Sequence, residues 1–263
     1  MGIRTEPIDK WVRGYVGDTA VVDTRAPLLF WEERFPVPGY AFRRDDVRTG
    51  LLRPATGEPP RKPFFYLPKG PVRDWYDVEV AGRVIPHAAW VRDDPALADR
   101  LVFSWQPGVF DRWMEEDEEV IEHPRDPYKR VEAIASTRRV QVSLGGVELA
   151  DSRRPVLLYE SHLPTRYYLP RNDVRLDLLE PSGNRSRCPY KGVAEEYWSL
   201  PGVEGGENIA WSYASPFPAV GKVAGMIAFY NELVDITLDG EPQERAVSIF
   251  SDPKQRPVEG SGI

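Results

Sequence analysis

The sequence predicts a mainly β protein made of two tandem copies of one small domain. Each copy reads as a curled antiparallel sheet or open barrel with short helical turns. Three observations predict this. A long block recurs about 128 residues further along the chain. Short apolar runs follow one another between turn residues, as strands do. And 26 prolines and 21 glycines leave little room for long helices.

The repeat sets the organisation. "GDTAVVDTRAPLLFWEERFP" (Gly17 to Pro36) matches "GGVELADSRRPVLLYESHLP" (Gly145 to Pro164). Asp23 aligns with Asp151, Arg25 with Arg153, and Glu32 with Glu160. The offset of 128 then slips to 127, where "RRDDVRTGLLRP" (Arg43 to Pro54) matches "PRNDVRLDLLEP" (Pro170 to Pro181). Further on, "PKGPVRDWY" resembles "YKGVAEEYW", "HAAWV" resembles "NIAWSY", and "RLVFSW" resembles "GMIAFY". These matches divide the chain into a first copy (1–117), a connector (118–135), a second copy (136–245) and a tail (246–263).

Taken in order through the second copy, "RRVQVSLGGVELADS" is a hairpin. Val140, Val142 and Leu144 alternate, Gly145 and Gly146 turn, and Val147 and Leu149 alternate again. "PVLLYES" is apolar enough for a strand buried on both faces. "TRYYLP" is a strand stopped by Pro170. "NDVRLDLLEPS" reads as a helical turn capped by Asn172 or Asp173, and "DDVRTGLLRP" does the same in the first copy. "AEEYWSL", "NIAWSY", "GMIAFYNE" and "VDITLDG" follow as further strands. The connector carries five consecutive acids, Glu115 to Glu119, then Pro124 and Pro127. Trp113, Val120, Ile121 and Tyr128 are apolar anchors along it, so packing is expected rather than a mobile linker.

Composition excludes several classes. The 263 residues are 41% hydrophobic and 29% charged, as in ordinary globular chains. No apolar run approaches the roughly 20 residues of a membrane helix, and the first residues lack the apolar core of a signal peptide. A cytoplasmic protein with no membrane contact is expected. The net charge of −7 argues against nucleic acid as a partner. One cysteine, Cys188, excludes an intrachain disulfide and a multi-cysteine zinc site. There is no phosphate-binding glycine loop, dinucleotide fingerprint or Gly-x-Ser-x-Gly elbow. No cofactor and no metal are expected.

Joined together, "LADSRRPVLLYE", "YYLPRNDV", "LLEPSGNRSRCPYKG", "AWSY" and "IAFYNELVDI" resemble the domain-of-unknown-function 427 family in its tandem two-domain bacterial form. "HPRDPYKRV" in the connector resembles it too, and the likeness runs from about Gly14 to Gly240. The resemblance implies small β folds of the β-tent or Mss4-like kind, a group that includes B-type methionine sulfoxide reductases and the ligand-binding domain of cereblon. A nucleotidyl-transfer label has been attached to the family. This chain lacks the Gly-Ser and paired acids of that chemistry. Sulfoxide reduction usually needs a second thiol to resolve the intermediate, which is also missing here. The first copy departs from the pattern. It has "RKPFFYLPKG" where the second has "RSRCPYKG", so the cysteine is lost and Lys69-Gly70 remains.

Positions shared by both copies serve the common fold first. Asp23/Asp151 and Arg25/Arg153 lie two apart on a strand and can pair. Glu32/Glu160 lies in an apolar strand, where a carboxylate is costly unless paired. It is therefore an inward site residue or an edge residue. Cys188 has basic neighbours, Arg185, Arg187 and Lys191, that favour a thiolate. The alternative is a small buried side chain. His162 is the histidine nearest in sequence to this region, and its first-copy equivalent is Arg34. Lys191, followed by Gly192, is either an exposed loop lysine or a pocket residue that binds an anion or carbonyl, or forms a Schiff base if desolvated. Tyr168, Trp211 and Tyr213 are the best candidate walls for a pocket holding a planar or cyclic ligand.

Three functions follow. The first is a small-molecule module whose second-copy pocket is lined by Arg153, Tyr168, Cys188, Lys191, Trp211 and Tyr213 and takes an anionic or cyclic ligand. The second is a reductase-, hydrolase- or transferase-like enzyme with Cys188 or Lys191 as nucleophile, assisted by Glu160 or His162. The third is a structural or protein-interaction module that uses the acidic connector.

Overall fold

A computed structural model describes residues 2–33, 35–59 and 64–256. The chain divides into two units, Met1–Asp126 and Pro127–Ile263. The first unit has a seven-stranded antiparallel sheet in the order Ile3–Pro7, Leu28–Glu32, Gly39–Arg43, Arg100–Phe103, Arg83–Arg92, Val72–Val80, Leu52–Pro54. The second repeats it as Val131–Ala135, Val156–Glu160, Arg166–Leu169, Ile227–Phe229, Ala210–Ser212, Glu196–Ser199, Glu180–Ser182. Each unit adds a four-stranded sheet. These are Glu118–Val120, Arg112–Glu115, Val12–Val16 and Thr19–Thr24 in the first, and Glu241–Pro242, Asp235–Leu238, Val140–Leu144 and Val147–Ser152 in the second. Neither sheet closes on itself, so each unit is two packed sheets rather than a barrel.

The duplication reaches single residues. The first hairpin carries its bulge at Gly14/Tyr15 in one copy and at Val142/Ser143 in the other. Lone bridges join Val22 to Val47 and Ala150 to Val174. The alternation that predicts the hairpin is the burial pattern observed. Val12, Gly14 and Val16 face inward, as do Val140, Val142 and Leu144. Gly145 and Gly146 both have positive φ, as a tight two-residue turn requires.

The small sheet packs on one face of the large sheet and makes the main core of each unit. The other face of the large sheet carries a second cluster. In the first unit it is built on Phe30, Ala41, Trp90 and Val102. In the second it is built on Leu158, Tyr168, Trp211, Tyr213 and Tyr230. This outer face holds the candidate site.

Three local expectations change. The helical turn after the third strand of each large sheet is a pair of short 3-10 turns, Arg44–Asp46 with Thr49–Leu51 and Arg171–Asp173 with Leu176–Leu178. No side chain caps them. Asp173 instead accepts bonds from Ser152 (2.7 Å) and Arg154 (2.7 Å), tying the turn to the neighbouring sheet. Second, Asp151 pairs with Arg139 across the hairpin, and Asp23 accepts from the Trp11 indole at 2.7 Å. The cross-strand neighbour is closer than the arginine two residues on. Third, residues 118–135 divide between the units. Glu118–Val120 extends the first small sheet, and Val131–Ala135 is the edge strand of the second large sheet. Trp113 and Val120 are buried anchors, while Tyr128 is exposed. Glu115, at the head of the acidic run, is buried and accepts from Lys10 and Tyr40 at 2.8 Å each. No helix among the described residues is long and apolar enough to cross a membrane.

The two main cores solve one packing problem differently. Gly14 lies opposite Trp113, and a Cβ on Gly14 would stand 2.6 Å from the indole. The equivalent pair is Val142 with Ile236, so bulk moves from one strand to its neighbour. Gly14→Val should therefore destabilise the first unit by about 1–3 kcal/mol through overpacking. Gly14→Val with Trp113→Ile should recover part of that loss. Urea denaturation of the single and double variants measures both effects.

Candidate functional site

Glu160 ends the second strand of the second large sheet, and its side chain is 6% exposed. It points inward, which resolves the choice between a site residue and an edge residue. Lys191 sits on the turn between Ser186–Cys188 and Gly192–Ala194. The turn is closed by the Lys191 N–H donating to the Cys188 carbonyl at 3.2 Å. Gly192 follows with φ 101°, a conformation that favours glycine. The Lys191 carbonyl then accepts from the Phe217 N–H at 3.0 Å, which fixes the loop from the far side.

The Lys191 ammonium is in close contact with the Glu160 carboxylate, and Lys129 approaches the same carboxylate at 3.4 Å. Lys191 is therefore not an exposed loop lysine; its side chain is 12% exposed. Burial works against ionisation of Glu160, but the two ammoniums outweigh it and hold its carboxyl below the ordinary value of 4.5. Burial likewise works against the charged form of Lys191. Nearby Cys188, Glu160 and Tyr168 reverse that and raise its pKa above the ordinary 10.5. Lys191 is a held ammonium, not a free amine. That setting suits a charge partner and opposes Schiff-base chemistry.

Tyr168 is fully buried, and its hydroxyl accepts from the Trp211 indole at 3.2 Å. Burial pushes its pKa up to about 12. Tyr213 is buried beside this group and is raised well above 10.0, again by burial first. Cys188 is half-buried, and no side chain hydrogen-bonds its thiol among the described residues. So Glu160, Lys191, Tyr168, Trp211, Tyr213 and Cys188 come together, packed on one another. Arg153 and His162 do not join them. Arg153 is exposed beside Asp151 and Asp239. His162 is exposed in a turn with φ 67°. Its first-copy counterpart, Arg34, lies outside the described residues. Among the described residues no group of three or more His, Cys, Asp or Glu side chains is placed to hold a metal ion.

The first unit handles the same carboxylate with another cation. Glu32 is in close contact with the Arg92 guanidinium, and both side chains are buried. "HAAWVR" and "NIAWSY" place Arg92 where Tyr213 stands in the second copy. Lys69 therefore meets Glu32 through its backbone N–H, at 3.1 Å, rather than through its ammonium. Its Nζ donates to the Phe65 carbonyl at 3.3 Å and lies 4.2 Å from the Phe35 ring. Desolvation lowers the Lys69 pKa to about 8. The sequence comparison stopped one residue short of this exchange. Its signal was available two positions after the shared Trp.

Two further exchanges open the first unit. Strand register places Gly39 at the position of Arg166, and Ala41 at that of Tyr168. In the second unit the Arg166 guanidinium is buried and held by both Glu232 oxygens (2.6 and 2.8 Å). It lies 5.5–5.8 Å from the Trp211, Tyr230 and Phe250 rings. In the first unit the Phe30 ring covers Gly39, 2.5 Å from where a Cβ would stand. An open cleft lies beside Gly39. Phe30, Phe35, Trp90 and Trp105 wall it, with Glu32 and Arg92 among its lining residues.

Two expected outcomes test these electrostatics. Glu160→Gln strands buried ammonium charge and should cost about 3–5 kcal/mol near neutral pH. Lys191→Met in the same chain should recover most of it. Because the folded carboxyl lies below 4.5, the stability it contributes is present above that value and is lost as pH falls through the lowered folded pKa. The gap between wild type and Glu160→Gln should therefore close in acid, as read by denaturation at a series of pH values. Separately, limited acetylation at pH 8 should modify Lys69 before Lys191, because only Lys69 has a sizeable uncharged fraction there. Peptide mass spectrometry reads the order.

No curated protein matches this chain. A family described as "Domain of unknown function (DUF427)" matches it twice, over residues 4–116 and 132–240. Those two segments coincide with the two copies of the fold and include both buried Glu positions. The chain therefore belongs to the DUF427 family and carries two tandem copies of its domain.

Proposed function

We propose that this protein binds a small planar or cyclic molecule in the cleft of its first unit. One observation carries the reading. The outer face that the second unit fills with Arg166 and Tyr213 bears Gly39 and Arg92 in the first, and these two line a cleft walled by Phe30, Phe35, Trp90 and Trp105. Aromatic walls with a few fixed polar groups suit planar ligands. Arg92 is already balanced by Glu32, which favours an uncharged ligand over an anion. This reading sets the site in the first copy, whereas the sequence suggested the second.

Catalysis through Lys191 is disfavoured because its amine stays protonated against Glu160. A cytoplasmic setting fits a chain whose one cysteine is a free thiol.

Titration with toluene, benzamide and benzoate, read by ligand-observed NMR, tests the proposal. Toluene and benzamide should bind at one site per chain, with benzoate weaker. Trp105→Ala removes one wall and should weaken binding about five- to tenfold. Trp211→Phe, in the second unit, should leave it unchanged. No binding at millimolar concentration, or loss of binding in Trp211→Phe alone, would overturn the reading.

A further inference from the structure

We infer that the cleft takes a phenol, whose hydroxyl oxygen accepts from the Trp90 indole as the Tyr168 hydroxyl accepts from Trp211. This rests on the binding reading above and adds the chemical class of the ligand.

The second copy shows what the first one lacks. Tyr168 and Ala41 occupy one register position. Val156, Tyr168 and Ala228 are neighbours across three strands, and so are Leu28, Ala41 and Val102. Trp211 and Trp90 are likewise equivalent, through their pairing with Ala228 and Val102. The Tyr168 hydroxyl lies within 3.2 Å of the Trp211 Nε1 and close enough to Lys191 and Glu160 to feel their charges. The first-unit counterparts of Trp211 and Glu160 are Trp90 and Glu32, and both line the cleft. Ala41 is fully buried and does not line the cleft, so the equivalence rests on Trp90 and Glu32.

Trp90 carries the consequence. It is 5% exposed, and its Nε1 has no hydrogen-bond partner among the described residues. A buried donor left unsatisfied is costly, and native proteins rarely leave one without a reason. A ligand oxygen placed there would satisfy it. The surrounding walls are rings, and the nearby Arg92 charge is neutralised by Glu32. A neutral aromatic ring bearing one hydroxyl meets all three conditions. An anion would set a second negative charge beside Glu32.

The test uses p-cresol, which is the tyrosine side chain as a free molecule, and toluene, which has its ring without the hydroxyl. Both are titrated against the whole chain by ligand-observed NMR, with thermal melts to establish that each variant is folded. In the wild type p-cresol should bind about fivefold tighter than toluene, the worth of one net hydrogen bond. Trp90→Phe trims a wall and should weaken both probes, but it should erase the difference between them. If toluene binds and p-cresol binds no tighter, or if the difference survives Trp90→Phe, the phenol assignment is overturned and the cleft reading stands. If neither probe binds, both are overturned.

Discussion

A buried carboxylate at the end of the second strand of each large sheet is the constraint on which the outer faces depend. Glu32 and Glu160 sit where water cannot solvate them, so each needs a cation within contact distance. The second unit supplies Lys191 from a loop, assisted by Lys129. The first supplies Arg92 from the middle of its sheet. Once Arg92 takes the carboxylate, Lys69 is directed to the Phe65 carbonyl and the Phe35 ring. The choice of cation sets the chemistry of each loop.

The same choice separates a filled face from an open one. In the second unit a neutral Tyr213 stands where the first has Arg92, and Tyr168 and Arg166 occupy the remaining space. Arg166 needs its own counterion, Glu232, and Ser248 in the C-terminal segment also bonds to Glu232 at 2.5 Å. Phe250 then packs on Tyr230 with ring centroids 5.8 Å apart. Three side chains and a following segment thus close the face. In the first unit Gly39 and a compact ion pair stand at the positions of Arg166 and Tyr213, and an aromatic cleft is lined by them. Two copies that share strand order, bulge and bridges have diverged on the one surface that the shared core does not need.

That divergence bears on the reading of Cys188. Its basic neighbours in the sequence suggested an activated thiol. In the fold one of them, Lys191, is committed to Glu160, and the histidine nearest in sequence, His162, lies on an exposed turn. The loop is held by the Lys191 backbone at both ends, so its rigidity serves the ion pair.

The sequence by itself determined the architecture. The 128-residue repeat, the alternation of Val140, Val142 and Leu144 and the glycine turn state two β domains, because strand burial has a period of two and the turn needs positive φ. It also assembled most of the second-copy cluster, since Glu160, Tyr168, Lys191, Trp211 and Tyr213 were all singled out. It could not say whether Glu160 faces inward, because burial depends on which strand lies beside it. It expected packing along the acidic run from the apolar anchors alone, and could not show that Glu115 is buried by partners 75 and 105 residues away. And it set the candidate pocket in the second copy, whose outer face is packed with side chains. Open space depends on residues such as Phe30, Trp90 and Arg92, which meet only when separate strands are brought into register. Side-chain type is written along the chain; whether neighbouring side chains fill or leave a space is decided across it.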